Sequence, residues 1–437
     1  MRGWRRAFGI GLIGSIFLVA TNVPSAADDW PQWRGPGRDG VWHETGLIDK
    51  FPQPRIELRW RAAIGSGYCG PTVAEGRVYV MDRVEEPADM ERVHAFDWQT
   101  GRNLWTFAYE CSYTTVKYPA GPRASVSIDD GRAYALGSRG HFHCLDAASG
   151  KFLWKKTPGE DYDIQAPIWG VAAAPLVDGP LVIVQLGAAG GACLVALDKK
   201  TGEERWRALD DRASYSAPII IEQAGRRVLV AWTGDHVAGL DPASGEVFWT
   251  YPFEPAKMVI NVPTPVVQGD RLFVTAFYDG SLMLRLDQSQ MAVEKVWRGR
   301  GFSERQTDAL HSMISTPYFE GDYVYGVDSY GELRCLEAGT GDRVWEDRTA
   351  VPGNRWATIH MVRNGKRIWM FNERGELIIA RLSPAGFEEI SRAKLIDPTM
   401  AQLRQRDGVC WSHPAYAHRH VFARNDKELV CAGLAEE

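Results

Sequence analysis

The chain has 437 residues, 45% of them hydrophobic, with 50 Lys and Arg against 55 Asp and Glu, a formal charge of -5. That balance, with no basic run anywhere, argues against nucleic acid and anionic membrane surfaces as partners. Seven Cys are too few for a disulfide-dense scaffold, and in an exported chain they leave at least one thiol unpaired.

Residues 1–27 read as a signal peptide. Arg2, Arg5 and Arg6 make a basic start, FGIGLIGSIFLVA (8–20) is apolar but short for a membrane span, and Ser25 and Ala27 are small residues where cleavage falls. An uncleaved anchor is the alternative. No Cys follows the apolar run before Cys69, so a lipid anchor is not indicated and the expected location is periplasmic or secreted. No later stretch is long enough to span a membrane. Residues 28–55 follow as an N-terminal extension, DWPQWRGPGRDGVW and beyond, whose Trp30, Trp33 and Trp42 suit a cap over the next domain.

From residue 56 onward one phrase recurs. It is VHAFDWQTGRNLWTF at 93–107, FHCLDAASGKFLWKK at 142–156, LVALDKKTGEERWRA at 194–208, VAGLDPASGEVFWTY at 237–251 and LRCLEAGTGDRVWED at 333–347. Each copy follows a pair of short β-branched and aromatic runs broken by Gly, Asp or Asn, such as TPVVQGDRLFVTAF at 264–277. Such runs predict hairpins rather than helices. A unit therefore has four strands, and Trp105, Trp154, Trp206, Trp249, Trp297 and Trp345 recur 43 to 52 residues apart. That period predicts an all-β fold, an eight-bladed β-propeller over 56–437.

Asp97, Asp146, Asp198 and Asp241 are placed to accept N–H bonds in the turn between the third and fourth strands. Gly101, Gly150, Gly202 and Gly245 supply a left-handed backbone position there. Each Trp then packs between neighbouring blades, so these are structural residues. Cys144, Cys335 and Cys431 share a repeat position with Ala95, Ala196 and Gly239, which marks a small buried slot. The fifth copy lacks the Gly, and the seventh lacks both the acidic residue and the Trp. The eighth stops after its third strand, and IELRWRA at 56–62, with Trp60 in the Trp slot, is available to complete it. Closing the ring this way removes two exposed edges. Seven blades is the alternative if the seventh copy is irregular.

These residues together resemble the pyrroloquinoline quinone (PQQ)-like β-propeller repeat family, the quinoprotein alcohol dehydrogenase-like fold. The LDxxTGxxxW phrase is similar to that family's tryptophan-docking motif. DWPQWRGPGRDGVW resembles the N-terminal signature of an exported bacterial subgroup described as PQQ-binding-like or BamB-like. One branch of the resemblance implies a dehydrogenase using PQQ with calcium; the other implies a non-catalytic scaffold. The dehydrogenases resemble one another in an adjacent Cys–Cys pair that this chain lacks. It also lacks a CxxCH haem attachment, and the calcium ligands that the resemblance implies are not carried over to any residue of this chain. No Gly-rich phosphate loop, nucleophile elbow or HExxH motif occurs.

Ligands of propellers sit at the channel mouth, reached by the returns from each outer strand to the next inner strand. Immediately before the inner strands stand Tyr68, Arg123, Trp169, Tyr215, Asn261, His311, Arg355 and Trp411, the candidate ligand-binding set. Aromatics with a few cations suit a flat anionic ligand; the competing use is to plug the channel. Cys69 and Cys410 fall at comparable positions in blades that become neighbours on closure, so they are a candidate pair. His413, His418 and His420 near Cys410 do not amount to a metal-ligand pattern. The sequence thus predicts an exported propeller that binds a protein, a cell-envelope ligand or a small molecule on its loop face, with the quinoprotein dehydrogenase as the alternative.

Overall fold

The computed structural model describes Met1, Gly3 and residues 28–436. The expected leader therefore lies almost wholly outside the described residues. Among these residues there are eight four-stranded antiparallel sheets, arranged as the blades of a propeller. Blades 1 to 7 are each continuous in sequence, over 72–110, 127–156, 176–208, 219–252, 266–299, 318–347 and 359–394. The eighth is built from both ends of the chain: Trp60–Ala63 pairs antiparallel with Glu428–Gly433, Trp60 opposite Cys431. The seventh copy, irregular in sequence, is a complete blade.

The turn between the third and fourth strands shows why the phrase repeats. In blade 1 the Asp97 carboxylate accepts the Thr100 N–H at 2.9 Å and its hydroxyl at 2.7 Å, while Gly101 donates back to the Asp97 carbonyl. Gly101, Gly150, Gly202 and Gly245 take φ between +70° and +76°. A Cβ added to any of them would run into the Trp of the preceding blade, at 2.6 to 2.8 Å. The indole N–H completes the joint by donating to a carbonyl of the neighbouring turn. Trp60 reaches Trp98, Trp105 reaches Ala147, Trp154 reaches Lys199 and Trp206 reaches Pro242. Trp345 does the same with Ser383.

Opposite each Trp stands the small residue of the slot: Ala95 with Trp105, Cys144 with Trp154, Cys335 with Trp345. A bulge next to each of these pairs tilts the outer strand toward its neighbour. Trp249 is the exception, because the next turn has no Gly to receive it. Its N–H bonds instead to the buried Gln223 side chain at 2.9 Å, whose amide bridges to Ala292 in blade 5 at 2.7 Å.

The N-terminal extension crosses the ring on the side of these turns, since Asp29 accepts the Glu75 N–H in the first hairpin turn of blade 1. Trp30 pairs with Val73 of blade 1, Arg38 donates to Ala174 and Pro175 ahead of blade 3, and Trp42 donates to Arg363 of blade 7. Trp33 reaches Thr264 near blade 5 at 2.7 Å. One large apolar cluster joins Trp30, Trp42 and Leu47 to blades 7, 8, 1 and 2, so the closure is packed into a continuous core.

Candidate functional site

With one end of the channel covered, the other end is a blind pit of about 160 Å³. Trp33 forms its floor, meeting the His413 ring edge-on at 4.4 Å. The walls are small or apolar residues of the segments entering the inner strands, among them Ala172, Ala174, Ala217 and Val262. The rim is aromatic: Trp169 lies 5.1 Å from Tyr215, and Tyr118 stands edge-on to both Trp169 and Trp356. Beyond Tyr118, Trp169, Met313 and Trp356 the pit opens into a vestibule of about 580 Å³, walled by residues 401–405 and by Lys117, Ile168 and Met258.

Five of the eight residues expected at the mouth line this pit: Tyr68, Arg123, Trp169, Tyr215 and Trp411. The other three stand behind it. Asn261 accepts the Tyr215 N–H at 3.0 Å and donates to the Thr233 carbonyl. His311 is buried and bonded through its ring to the Phe277 carbonyl at 3.0 Å. Arg355 pairs with Glu304 at 2.7 Å and lies 4.4 Å over Trp356, which faces the pit in its place. Trp33, Tyr118, Ser125, Trp356, His360 and His413 were not singled out for the mouth. Ser125 and His413 lie two residues beyond Arg123 and Trp411, so strand alternation along the channel could have found them. Trp356 could not be found that way, because the backbone turns through φ +66° at that residue.

The polar groups of the pit are few and mostly engaged. Arg123 donates to the carbonyls of Lys117, Tyr118 and Gly121, which fixes that loop, and covers the Tyr68 ring at 4.8 Å. Tyr68 donates to the Gln402 carbonyl at 2.9 Å. Ser125 and His413 are 2.6 Å apart, and His360 bonds to the Trp411 carbonyl at 2.8 Å. Burial pushes the His413 imidazole down to about 3 and that of His360 down to about 4, so both are neutral at pH 7. Burial also pushes the Tyr215 phenol up to about 12. Beneath the pit Arg38, with no carboxylate partner, is lowered to about 9 by burial.

Among the described residues lining the pit and vestibule, none is Asp or Glu. Calcium takes six to eight oxygen ligands, usually including carboxylates. The polar lining side chains, which are Tyr, Gln, one Ser, cationic Lys and Arg and two neutral His, include no carboxylate and do not fit a calcium-held quinone. No group of three or more His, Cys, Asp or Glu with metal-binding geometry occurs among the described residues. His418 sits in a turn at φ +55°, stacked on Trp98, and His420 bonds to Arg59. Cys69 and Cys410 are separate buried thiols, in contact with the Met81 and Asp397 carbonyls respectively.

The fold and site define a closed eight-bladed propeller with a capped channel and an aromatic, carboxylate-free mouth. Residues 89–347 match the family described as outer membrane protein assembly factor BamB, and the chain belongs to that family. It is 24% identical over 266 residues to the BamB of Burkholderia pseudomallei, covering 56% of this chain and 64% of that protein. It is 30% identical over 206 residues to the quinohemoprotein alcohol dehydrogenase of Comamonas testosteroni, covering 45% of this chain and 28% of the enzyme. The matched part is thus less than two thirds of either relative's length. Among solved structures, BamB from Moraxella catarrhalis aligns with a TM-score of 0.57 at 17% identity, covering 86% of this chain and 98% of that one. The Comamonas testosteroni dehydrogenase aligns with a TM-score of 0.64 at 13% identity, covering 94% and 81%. At these identities the structural likeness establishes the fold and not the activity.

Proposed function

We propose that this chain is a non-catalytic binding module of the cell envelope, exported by residues 1–27, that takes its ligand on the loop face at the central pit. The observation that carries the reading is the pit itself: aromatic at the rim, blind at the floor and free of acidic residues. Tyr68, Arg123, Trp169, Tyr215 and Trp411 would touch the ligand, while Asn261, His311 and Arg355 hold the loops that present them. The BamB relationship is consistent with a binding role. Among the described residues no helix is long and apolar enough to cross a membrane.

The alternative, a quinoprotein dehydrogenase, rests on the relationship to the Comamonas enzyme, and the donor set argues against it. Titration of the mature protein with PQQ, with and without calcium, separates the two by tryptophan fluorescence. The expected result is no saturable, calcium-dependent quenching. Saturable quenching at micromolar PQQ that required calcium, with dye reduction by an alcohol, would replace this proposal by the enzymatic one.

A further inference from the structure

Three features of the loop face bear on what the ligand is. The first is size. A cavity of about 160 Å³ is close to the roughly 150 Å³ apolar cavity that admits one benzene ring. The pit therefore takes a single six-membered ring end-on, between Trp33 below and Trp169, Tyr215 and Trp356 above. A rigid fused ring system would have to stay largely outside, in the vestibule.

The second is charge. The chain as a whole is acidic, with 55 Asp and Glu against 50 Lys and Arg. The linings of pit and vestibule invert that balance, carrying Lys117, Arg123 and Arg404 with no carboxylate among the described lining residues. Lys117 and Arg404 are exposed, and among the described residues neither is placed in an ion pair. Cations without counter-charges around an apolar hole select an anionic ligand and speed its arrival.

The third is the apolar surface around the mouth. Ile168 in the vestibule wall is 48% exposed, Tyr118 between pit and vestibule 37%, and Met400, next in sequence to the 401–405 wall, 48%. Exposed apolar residues at a pocket mark a macromolecular contact. A small ligand seated in the pit would leave Ile168 and Met400 in water. A chain running out of the pit through the vestibule would cover at least Ile168 and the 401–405 wall.

From these we infer that the partner is an acidic protein segment that seats one aromatic side chain in the pit and lays its flanking carboxylates against Lys117 and Arg404. The inference rests on the binding role proposed above and names the partner's chemistry. A single buried aromatic anchor surrounded by weaker polar contacts is the usual distribution of energy in such an interface.

Calorimetry on the mature protein tests it with four probes: 4-methylphenol, an acetylated and amidated Glu-Glu-Phe-Glu-Glu peptide, its Phe→Ala form, and its all-Lys form. The Phe peptide should bind at least tenfold tighter than 4-methylphenol and than either altered peptide. Ala217→Leu, which fills the pit, should abolish binding of both 4-methylphenol and the Phe peptide. Lys117→Glu with Arg404→Glu, both at exposed positions, should weaken the Phe peptide about tenfold at low salt and leave 4-methylphenol unchanged. Binding of 4-methylphenol with no preference for the Phe peptide, or with equal affinity for the all-Lys peptide, overturns this inference and leaves the binding role standing. If neither 4-methylphenol nor any peptide binds, the binding role of the pit falls with it.

Discussion

Gly150 sits at φ +70° in the docking turn of blade 2, and a Cβ built on it would lie 2.6 Å from the indole of Trp105. Gly131, in the first hairpin turn of the same blade, has nearly the same φ, +68°, but nothing within 4 Å of its added Cβ. Alanine at either position meets the left-handed backbone penalty of roughly 1–2 kcal/mol. Only Gly150→Ala also pushes the indole off its seat. That displacement endangers the Trp105 bond to the Ala147 carbonyl, about 0.5–1.5 kcal/mol, and part of the indole's burial, on the order of 1–2 kcal/mol. Gly150→Ala should therefore destabilise by about 3–5 kcal/mol and Gly131→Ala by about 1–2. Urea unfolding followed by tryptophan fluorescence and far-ultraviolet circular dichroism reads the difference as a shift in midpoint at similar slope. Equal shifts for the two variants would show that the glycine serves the turn alone and that Trp docking contributes nothing. An Asp146→Ala variant, which removes the carboxylate that accepts the Ser149 N–H at 2.8 Å, serves as a third point and should fall between them.

Two further outcomes follow from the same geometry. Trp60→Ala removes the docking residue of the N-terminal strand that completes blade 8. It should cost on the order of 3–5 kcal/mol and raise proteolysis in 28–63, whereas an unchanged digestion pattern would mean the ring is closed by other contacts. Acid should also weaken the fold well above the carboxylate range. Burial pushes His143 and His413 down to about 3 and His311 and His360 to about 4, so the unfolded chain takes protons near pH 6.5 that the folded one refuses. Stability from these groups is present above pH 6.5 and falls by up to about 1.4 kcal/mol per pH unit for each histidine below it. Asp328, which burial raises to about 6, works the other way below that pH and offsets part of one histidine's loss. The melting temperature should fall steadily from pH 6.5 to 4.5, with His413→Gln reducing the slope by about one proton; a flat profile would contradict buried neutral histidines.

The repeat was legible because its demands are local. An Asp that caps a turn, a Gly at positive φ and a Trp that needs a small cross-strand partner leave a pattern within a dozen residues, and the pattern gives the blade. Closure was legible for the same reason: a lone Trp60 strand at one end matches the unfinished blade at the other. The site was only partly legible, because a pit is made by loops whose shape the inner strands do not fix. Position alone put Asn261, His311 and Arg355 at the mouth, yet each faces backward to hold a neighbour, Arg355 directly behind the Trp356 that takes its place. The N-terminal tryptophans were expected to cap the next domain, but nothing local marked Trp33 as the floor, since its partner Thr264 is 231 residues away.

The same N-terminal stretch does two jobs, and this couples stability to the site. Residues 60–63 complete blade 8, while Trp30, Trp33, Arg38 and Trp42 bind the inner strands of blades 1, 5, 3 and 7 or the segments entering them. A channel without that crossing would be open at both ends, and an apolar group entering from the loop face would meet water instead of Trp33. Arg38 sharpens the point. It is buried against backbone carbonyls without a carboxylate, an arrangement costly in desolvation that no bare plug would require. Its charge lies under the pit, on the same side of the balance as Lys117, Arg123 and Arg404. The crossing segment therefore adds both the floor and a positive charge beneath it, so the seat for the aromatic side chain proposed above would depend on residues outside the repeats.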